Sequence, residues 1–415
     1  MGKHPDRKAL KGFISGGLSS GEVRRIERHL SMCSECRDQA DAISDHLTLQ
    51  LLDSWLRPGY DEAFERAADR TTECLANLLE ESRSTEDLLA ELLREPAPLR
   101  RRRIADVERF HSLKLGQLLL ARSRDAWLLD PAVSLEMADL AVEVAQHLES
   151  GRYGSSLVED SRALAWSYLA NALRITSDFW RAEQALRQAW CHHVLAEGDA
   201  YTEAHLLITT ASLRETLGQY EEALKLTDKA INLYREAQDG QLEGAALILR
   251  GIILGRRGLA GEAIPVIRLA LSRINSEEDP MLMMTGTHNL IWSLAHSGAL
   301  EGAQKLIDQN RPLYRNFGEI NLTRLHWIEA EISIELKRYA QAESQLHAVR
   351  EFFVDRSIGA AVFLASLDLA EVYTLSGQPK KVKEVLGDVI PLGESLGLSK
   401  KVFFAKMLFE KASRS

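Results

Sequence analysis

Two interleaved rows of small residues, forty positions apart, constrain this chain more than any other feature. One row reads Ala182, Ala223, Ala263, Ala303, Ala342, Val382, with steps of 41, 40, 40, 39 and 40. The second lies 12 residues earlier at Ala170, Ala211, Gly251, Ile291, Ala330, Ala370 and repeats those steps. Between the rows a turn recurs at Ser177-Asp178-Phe179, Gly218-Gln219-Tyr220, Gly258-Leu259-Ala260, Gly298-Ala299-Leu300, Lys337-Arg338-Tyr339 and Gly377-Gln378-Pro379. A fixed period of this length marks a stack of supersecondary units rather than one closed core. Antiparallel helices approach closely only where their side chains are small, and a Gly after the first helix supplies the left-handed cap that reverses the chain. Each period therefore predicts helix, tight turn, helix, and the whole an all-α chain. Only Ile291 and Val382 break the small-residue rule.

The phrase Gly-Gln-Tyr-Glu-Glu-Ala-Leu at 218–224, with small residues 12 apart, resembles the tetratricopeptide consensus. The resemblance covers 158–397, read as six repeats, and implies an α-solenoid with a concave groove for a peptide or protein. The period of about 40 instead of 34 adds about six residues to each helix pair. Residues 104–157 read as a less regular hairpin, Ile104 to Ser123 followed by Leu135 to Leu148, and 398–415 as a capping helix. Candidate groove residues fall on the first helix of each hairpin: Asn171, Arg174, Arg250, His288, Asn289 and Arg324. Trp166, Trp190 and Trp292 are expected in the core, and Cys191-His192-His193 lacks convergent partners for a metal.

A different chemistry sits at the start of the chain. His29-Leu30-Ser31-Met32-Cys33-Ser34-Glu35-Cys36 is an H-x3-C-x2-C pattern. Helical spacing puts its three donors on one side, and one imidazole with two thiolates suits a tetrahedral ion such as Zn2+. His4 is the natural fourth ligand. Leu10 to Arg28 reads as two helices joined at Ser15 to Gly21, which returns the chain to its start. Here the sequence resembles the zinc-binding anti-sigma domain, whose pattern is a His or Cys, about 25 residues, then H-x3-C-x2-C. His4 and His29 stand at that separation, and the resemblance covers residues 1–57. It implies that His4, His29, Cys33 and Cys36 hold a structural zinc and that the helix after Cys36 contacts a sigma factor. A thiol switch at Cys33 and Cys36 is the redox alternative.

The segment 58–103 reads as a helical linker. Pro58-Gly59 closes the first unit, Asp61 to Glu81 is helical, and Ser84 with Asp87 looks like a capping box for a helix Leu88 to Leu93. The run Arg100 to Arg103 is the one basic cluster in a chain of net charge −9, which argues against a large nucleic-acid surface. A solvated first helical turn or an interdomain contact is its expected role. Gly17-Leu18-Ser19-Ser20-Gly21 formally matches a hydrolase nucleophile elbow, but that motif needs a buried strand before it, and both flanks here are helical. Metalloprotease, phosphate-loop and dinucleotide fingerprints are absent, so no enzyme is expected. Met1 to Pro5 has no apolar core, and the longest apolar run, Ala360 to Leu367, is too short to span a bilayer, so a cytoplasmic protein is expected. Two functions follow: a transcription regulator that binds a sigma factor through its zinc domain and another protein or peptide through the groove, or a tetratricopeptide scaffold whose zinc unit is only a protein-binding module.

Overall fold

The computed structural model describes residues 4–14, 18, 20–30, 32–55, 60–127, 129–196 and 198–414. The chain divides into two compact units, Met1–Asn77 and Leu78–Ser415. The first holds α1 (Arg7–Ile14), α2 (Ser20–Leu30), α3 (Ser34–Trp55) and the start of α4 (Tyr60–Arg94). Asp6 caps α1, its carboxylate accepting the Ala9 N–H at 2.8 Å. Leu10, Ile26, Ala40 and Ile43 form the buried centre of this unit, one contribution from each of α1 and α2 and two from α3. A unit of this size is marginal on burial alone, and domains of this kind need a staple. Ser15–Gly17, Ser19, Ser31 and the expected break at Pro58-Gly59 lie outside the described residues.

The second unit opens with the rest of α4, then α5 (Ala97–Asp106), α6 (Leu113–Ala126), α7 (Pro131–Gln146) and the short α8 (Ser150–Tyr153). Helical hairpins follow: α9 (Ser155–Ile175) with α10 (Phe179–Leu195), α11 (Ala200–Thr216) with α12 (Tyr220–Glu236), and α13 (Gly240–Arg256) with α14 (Ala260–Arg273). The next three are α15 (Pro280–His296) with α16 (Leu300–Asn316), α17 (Glu319–Glu335) with α18 (Tyr339–Asp355), and α19 (Gly359–Leu375) with α20 (Pro379–Ser395). A last helix, α21 (Ser399–Arg414), ends the stack. The fold is all-α, a tetratricopeptide-like superhelix.

Local chemistry explains the regularity. Asp178, Asp199, Asp239 and Asp279 each accept a backbone N–H of the helix they precede, removing one orphan donor apiece. The turns inside the hairpins are left-handed, with φ from 71° to 93° at Gly218, Gly258, Gly298 and Gly377. Ser177 and Lys337 adopt the same conformation at φ 69° and 58° without being glycine. Both small-residue rows are sealed from water: Ala182, Ala223, Ala263, Ala303 and Ala342 are 0% exposed. Ile291 and Val382 are equally buried, so those two interfaces accommodate a larger side chain.

After one superhelical turn the array meets itself. The Ala360 N–H donates to Ser177 Oγ at 3.0 Å, across 183 positions of chain. Farther along, Lys400 Nζ donates to the Gly218 carbonyl at 2.8 Å. These two contacts tie the first hairpins of the array to its last helices.

Two expected elements differ. No helix begins at Ser84, because α4 runs through it: the hydroxyls of Ser82, Ser84 and Thr85 donate back to carbonyls three or four residues earlier and leave the ladder unbroken. The irregular hairpin begins not at Ile104 but at Leu113, where Ser112 Oγ accepts the Leu115 N–H as a cap. Buried Glu81 organises this corner. Its carboxylate accepts from Ser112 Oγ at 2.7 Å, the Lys114 N–H at 3.3 Å, Arg152 at 2.7 Å and the Tyr153 hydroxyl at 2.5 Å.

Candidate functional site

In the first unit four metal-ligating residues converge. His29 ends α2, and the backbone N–H groups of Met32 and Cys33 both donate to its carbonyl at 3.0 Å, so one further turn brings Cys33 beside the ring. Cys33 then leads into α3, and Cys36 sits in its first turn. His4 precedes the Asp6 cap by two residues. One donor atom from each of His4, His29, Cys33 and Cys36 lies within 4.8 Å of the others. His4 Nδ1 is 3.1 Å from Cys36 Sγ and 3.6 Å from Cys33 Sγ. The imidazoles of His4 and His29 meet edge to face at 5.1 Å. His29 Nε2 is buried without a hydrogen-bond partner. Zinc with Zn–N of about 2.0 Å and Zn–S of about 2.3 Å places its ligand atoms about 3.3–3.8 Å apart on a tetrahedron. The four donors are close to that size, and the orphaned His29 nitrogen is satisfied by such an ion. Among the described residues they are the one group of this kind. The Cys191 segment gathers none: Cys191 is an exposed thiol and His192 Nδ1 lies 2.6 Å from Glu159.

The second unit encloses a cavity of about 420 Å³ on the inner face of the superhelix. Arg174, His288, Asn289 and Arg324 line it, four of the six groove residues expected from sequence. Asn171 stands just behind: its amide oxygen accepts from Arg174 Nε at 3.0 Å and Nη2 at 2.8 Å, aiming the guanidinium. Arg250 lies outside the cavity, paired with Asp228 at 2.7 Å.

Among the lining residues that sequence reading missed are Glu215, Arg256, Trp292, Trp327, Glu331 and Asp368. Trp292 packs, partly buried, against the core and also forms a wall of the cavity, stacked on His296 at 3.8 Å with the Arg256 guanidinium 5.2 Å from its ring. Trp327 Nε1 donates to Asp368 Oδ2 at 2.6 Å. The one available signal was a charge within an apolar stretch, as at Asp368 directly after Ala360 to Leu367.

Desolvation dominates the electrostatics here. It lowers Arg324 to about 10, with Arg174 adding repulsion, and it lowers Arg174 as well. It drops His288 to about 3, helped by Arg324 and Arg256, so that ring is neutral at physiological pH. On the facing side burial raises Glu331 to about 7 and, with Glu331 beside it, lifts Asp368 well above the carboxylate range. Glu331 Oε2 is buried without a partner. The Arg100 to Arg103 run, by contrast, is neutralised at home. Arg100 pairs with Glu136, Arg101 with Glu143 at 2.7 Å, Arg102 with Asp106 at 3.3 Å and Arg103 with Glu91 at 3.5 Å.

Residues 7–37 match the family described as "Putative zinc-finger". No curated protein matches the chain. Among solved structures it is similar to aspartyl phosphate phosphatase F from Bacillus subtilis, at 14% identity and a TM-score of 0.49, over 96% of this chain and 97% of that one. It is also similar to a Rap protein complexed with Competence and Sporulation Factor, at 13% identity and a TM-score of 0.53, over 95% and 100% of the two chains. Likeness at the second level is one of fold, and it spans the helical array. Among the described residues no helix is long and apolar enough to cross a membrane.

Proposed function

We propose that the chain is a cytoplasmic, non-enzymatic regulator in which His4, His29, Cys33 and Cys36 hold a structural zinc, the zinc unit binds a sigma factor, and the helical array binds a second protein or a peptide. In this reading the zinc unit is residues 1–57, the linker 58–103, the repeats 158–397 and the cap 398–415, with the irregular hairpin inside 104–157 and its first helix starting at Leu113. The observation that carries it is the approach of four donor atoms to within 4.8 Å of one another, three of them inside the segment 7–37 that matches the zinc-finger family and the fourth, His4, just before it. Zinc there ties the chain start to the α2–α3 junction, supplementing the core around Leu10, Ile26, Ala40 and Ile43. Four protein ligands leave no coordination position for a substrate, so the metal's contribution is to shape, presenting α3 to a partner. The array contributes a charged inner face, and a neighbour of similar fold was solved with a bound factor.

The test uses the full chain. Purified wild type should carry one zinc per chain, and its pull-down from host lysate should recover a sigma factor by mass spectrometry. Cys33→Ser/Cys36→Ser should lose both. A zinc-loaded wild type that recovers no sigma factor refutes the regulator reading and leaves a scaffold.

A further inference from the structure

A second cavity, of about 310 Å³, lies where α6, α7, α9 and the start of α11 meet, and it shares no lining residue with the larger one. Most of its wall is apolar, with Leu113, Leu120, Ala145, Leu148, Leu157 and Leu164 around it. Into this setting Asp160 of α9 and Asp199, the cap of α11, bring two carboxylates, and among the described residues no Lys, Arg or His lines the space. Asp160 Oδ1 is buried without a hydrogen-bond partner. Burial and the neighbouring Asp199 hold the Asp160 carboxyl above its usual range, against the opposing pull of Thr202 and of His193, which does not line the cavity. Arg162, two residues on, is engaged by Glu159 at 2.6 Å and by the carbonyls of Ala145, Gln146 and Leu148.

Gly116 stands on the same wall, inside α6. Glycine weakens a helix interior relative to alanine, and packing does not require it here: an added Cβ would meet only Val144 Cγ1, at an ordinary 3.6 Å. What the missing side chain leaves is open volume in the cavity.

Carboxylates taken out of water without a counter-charge are costly, and apolar walls give nothing to a small hydrated ion. A cation with an apolar body meets both conditions. A primary ammonium presents three N–H donors. Asp160 Oδ1 is one acceptor, and Asp199 keeps an oxygen beyond the one that takes the Thr202 N–H at 2.7 Å. Ser161 Oγ gives its proton to the Leu157 carbonyl at 2.7 Å and retains lone pairs for a third. A cavity of about 310 Å³ is of a size that small ligands fill.

We infer that this cavity binds a small primary amine with an apolar body, its ammonium held by Asp160 and Asp199 and its hydrocarbon part lying along the surrounding leucines. The site uses no residue of the zinc unit or of the larger cavity, and it goes beyond the functions proposed above.

The probes are n-hexylamine and 2-phenylethylamine, each paired with its alcohol, hexan-1-ol and 2-phenylethanol, titrated against the full chain by ligand-observed NMR. Each amine should bind at least tenfold more tightly than its alcohol. Asp160→Asn should weaken the amines at least tenfold and leave the alcohols within twofold, with a melting temperature equal to or above that of wild type. Should it not fold, Asp199→Asn, which keeps a capping side chain, serves the same comparison. Gly116→Leu, which adds a side chain at the cavity wall, should weaken amine and alcohol alike. Absence of binding by both amines, amines that bind no better than their alcohols, or amine affinity that survives the carboxylate replacement overturns the assignment. So does tighter binding of Nα-acetyllysine amide than of n-hexylamine, which would make the cavity a seat for a lysine side chain of another protein.

Discussion

Alanine placed at Gly251 and at Gly261 should change stability in opposite directions. Both positions belong to one hairpin, the first on α13 and the second at the start of α14. Alanine is intrinsically favoured over glycine in a helix by about 0.5–1 kcal/mol. At Gly261 an added Cβ meets nothing within 4 Å, so this preference is realised and the array gains about 0.5 kcal/mol. At Gly251 the same atom would stand 2.3 Å from Ile267 Cγ1 and 2.9 Å from its Cδ1, closer than van der Waals contact permits. Ile267 is 0% exposed and has no free space to rotate into. Overpacking of this kind costs about 1–3 kcal/mol, which exceeds the propensity gain, so Gly251→Ala should lose about 1–2 kcal/mol. Ile267→Ala alone should lose about 2–5 kcal/mol by leaving a cavity. In the double variant the new methyl occupies part of that cavity, and the combined loss should fall short of the sum by at least about 1 kcal/mol. Guanidinium unfolding followed by far-ultraviolet circular dichroism measures each variant, fitted with a repeat-based scheme because solenoids need not unfold in one step. If Gly251→Ala stabilises as Gly261→Ala does, or if the pair is additive, the small-residue row does not mark close helix contact.

Three further outcomes follow from particular residues. Lys337→Gly should stabilise by about 0.5–1 kcal/mol in the same assay, since φ 58° is strained for lysine, while Gly258→Ala, at φ 93°, should lose about 1–2 kcal/mol. Glu81→Ala strips four hydrogen-bond donors of their acceptor and should cost about 2–4 kcal/mol, with Tyr153→Phe costing less because the other three remain. Acid should destabilise the array through His205, which burial depresses to about 4. Below pH 6.5 the unfolded imidazole takes up a proton that the folded one refuses, so stability is present at neutral pH and lost as pH falls. The loss from this group is about 2 kcal/mol between pH 7 and pH 5. His205→Phe, keeping the stack on Tyr168 at 4.9 Å, should flatten that part of the pH profile; an unchanged slope contradicts the assignment.

Some of this was visible in the sequence and some had no local trace there. The hairpins could be read because their contacts are local: Ala170 meets the row containing Ala182 twelve residues on, and every repeat poses the same steric problem again. The zinc-type quartet could be read for a similar reason, since a short helical hairpin carries His4 back to His29, and the donor types are rare enough to stand out. Where local signals competed, reading failed. Ser84 and Asp87 have the composition of a helix start, but hydroxyls that bond back to earlier carbonyls are equally at home inside a helix, and α4 continues through them. Trp292 packs against the core as its apolar helix implies, but its second role, as a cavity wall, has no local signal because it depends on which face the superhelix turns inward.

The charged cavity shows where a periodic reading stops. Arg174 and Arg324 are 150 positions apart, and neither differs in its local setting from the arginines around it. What distinguishes them is their burial together in one cavity, which depends on how far the array has rotated when α17 comes to face α9. That rotation is a sum of small angles set at every hairpin contact. The closure at Ser177 to Ala360 fixes the result. A change that alters the rotation, such as an added methyl at Gly251, should therefore disturb the distance between Arg174 and Arg324 although it touches neither. Arrays of this type concentrate stability in nearest-neighbour contacts and function in groups that only the completed turn assembles. The Gly251→Ala variant, measured for peptide binding as well as for stability, separates the two. If rotation is what assembles the cavity, the loss of peptide binding should exceed the loss expected from the unfolded fraction, and equality of the two would show the cavity to be insensitive to the angle between hairpins.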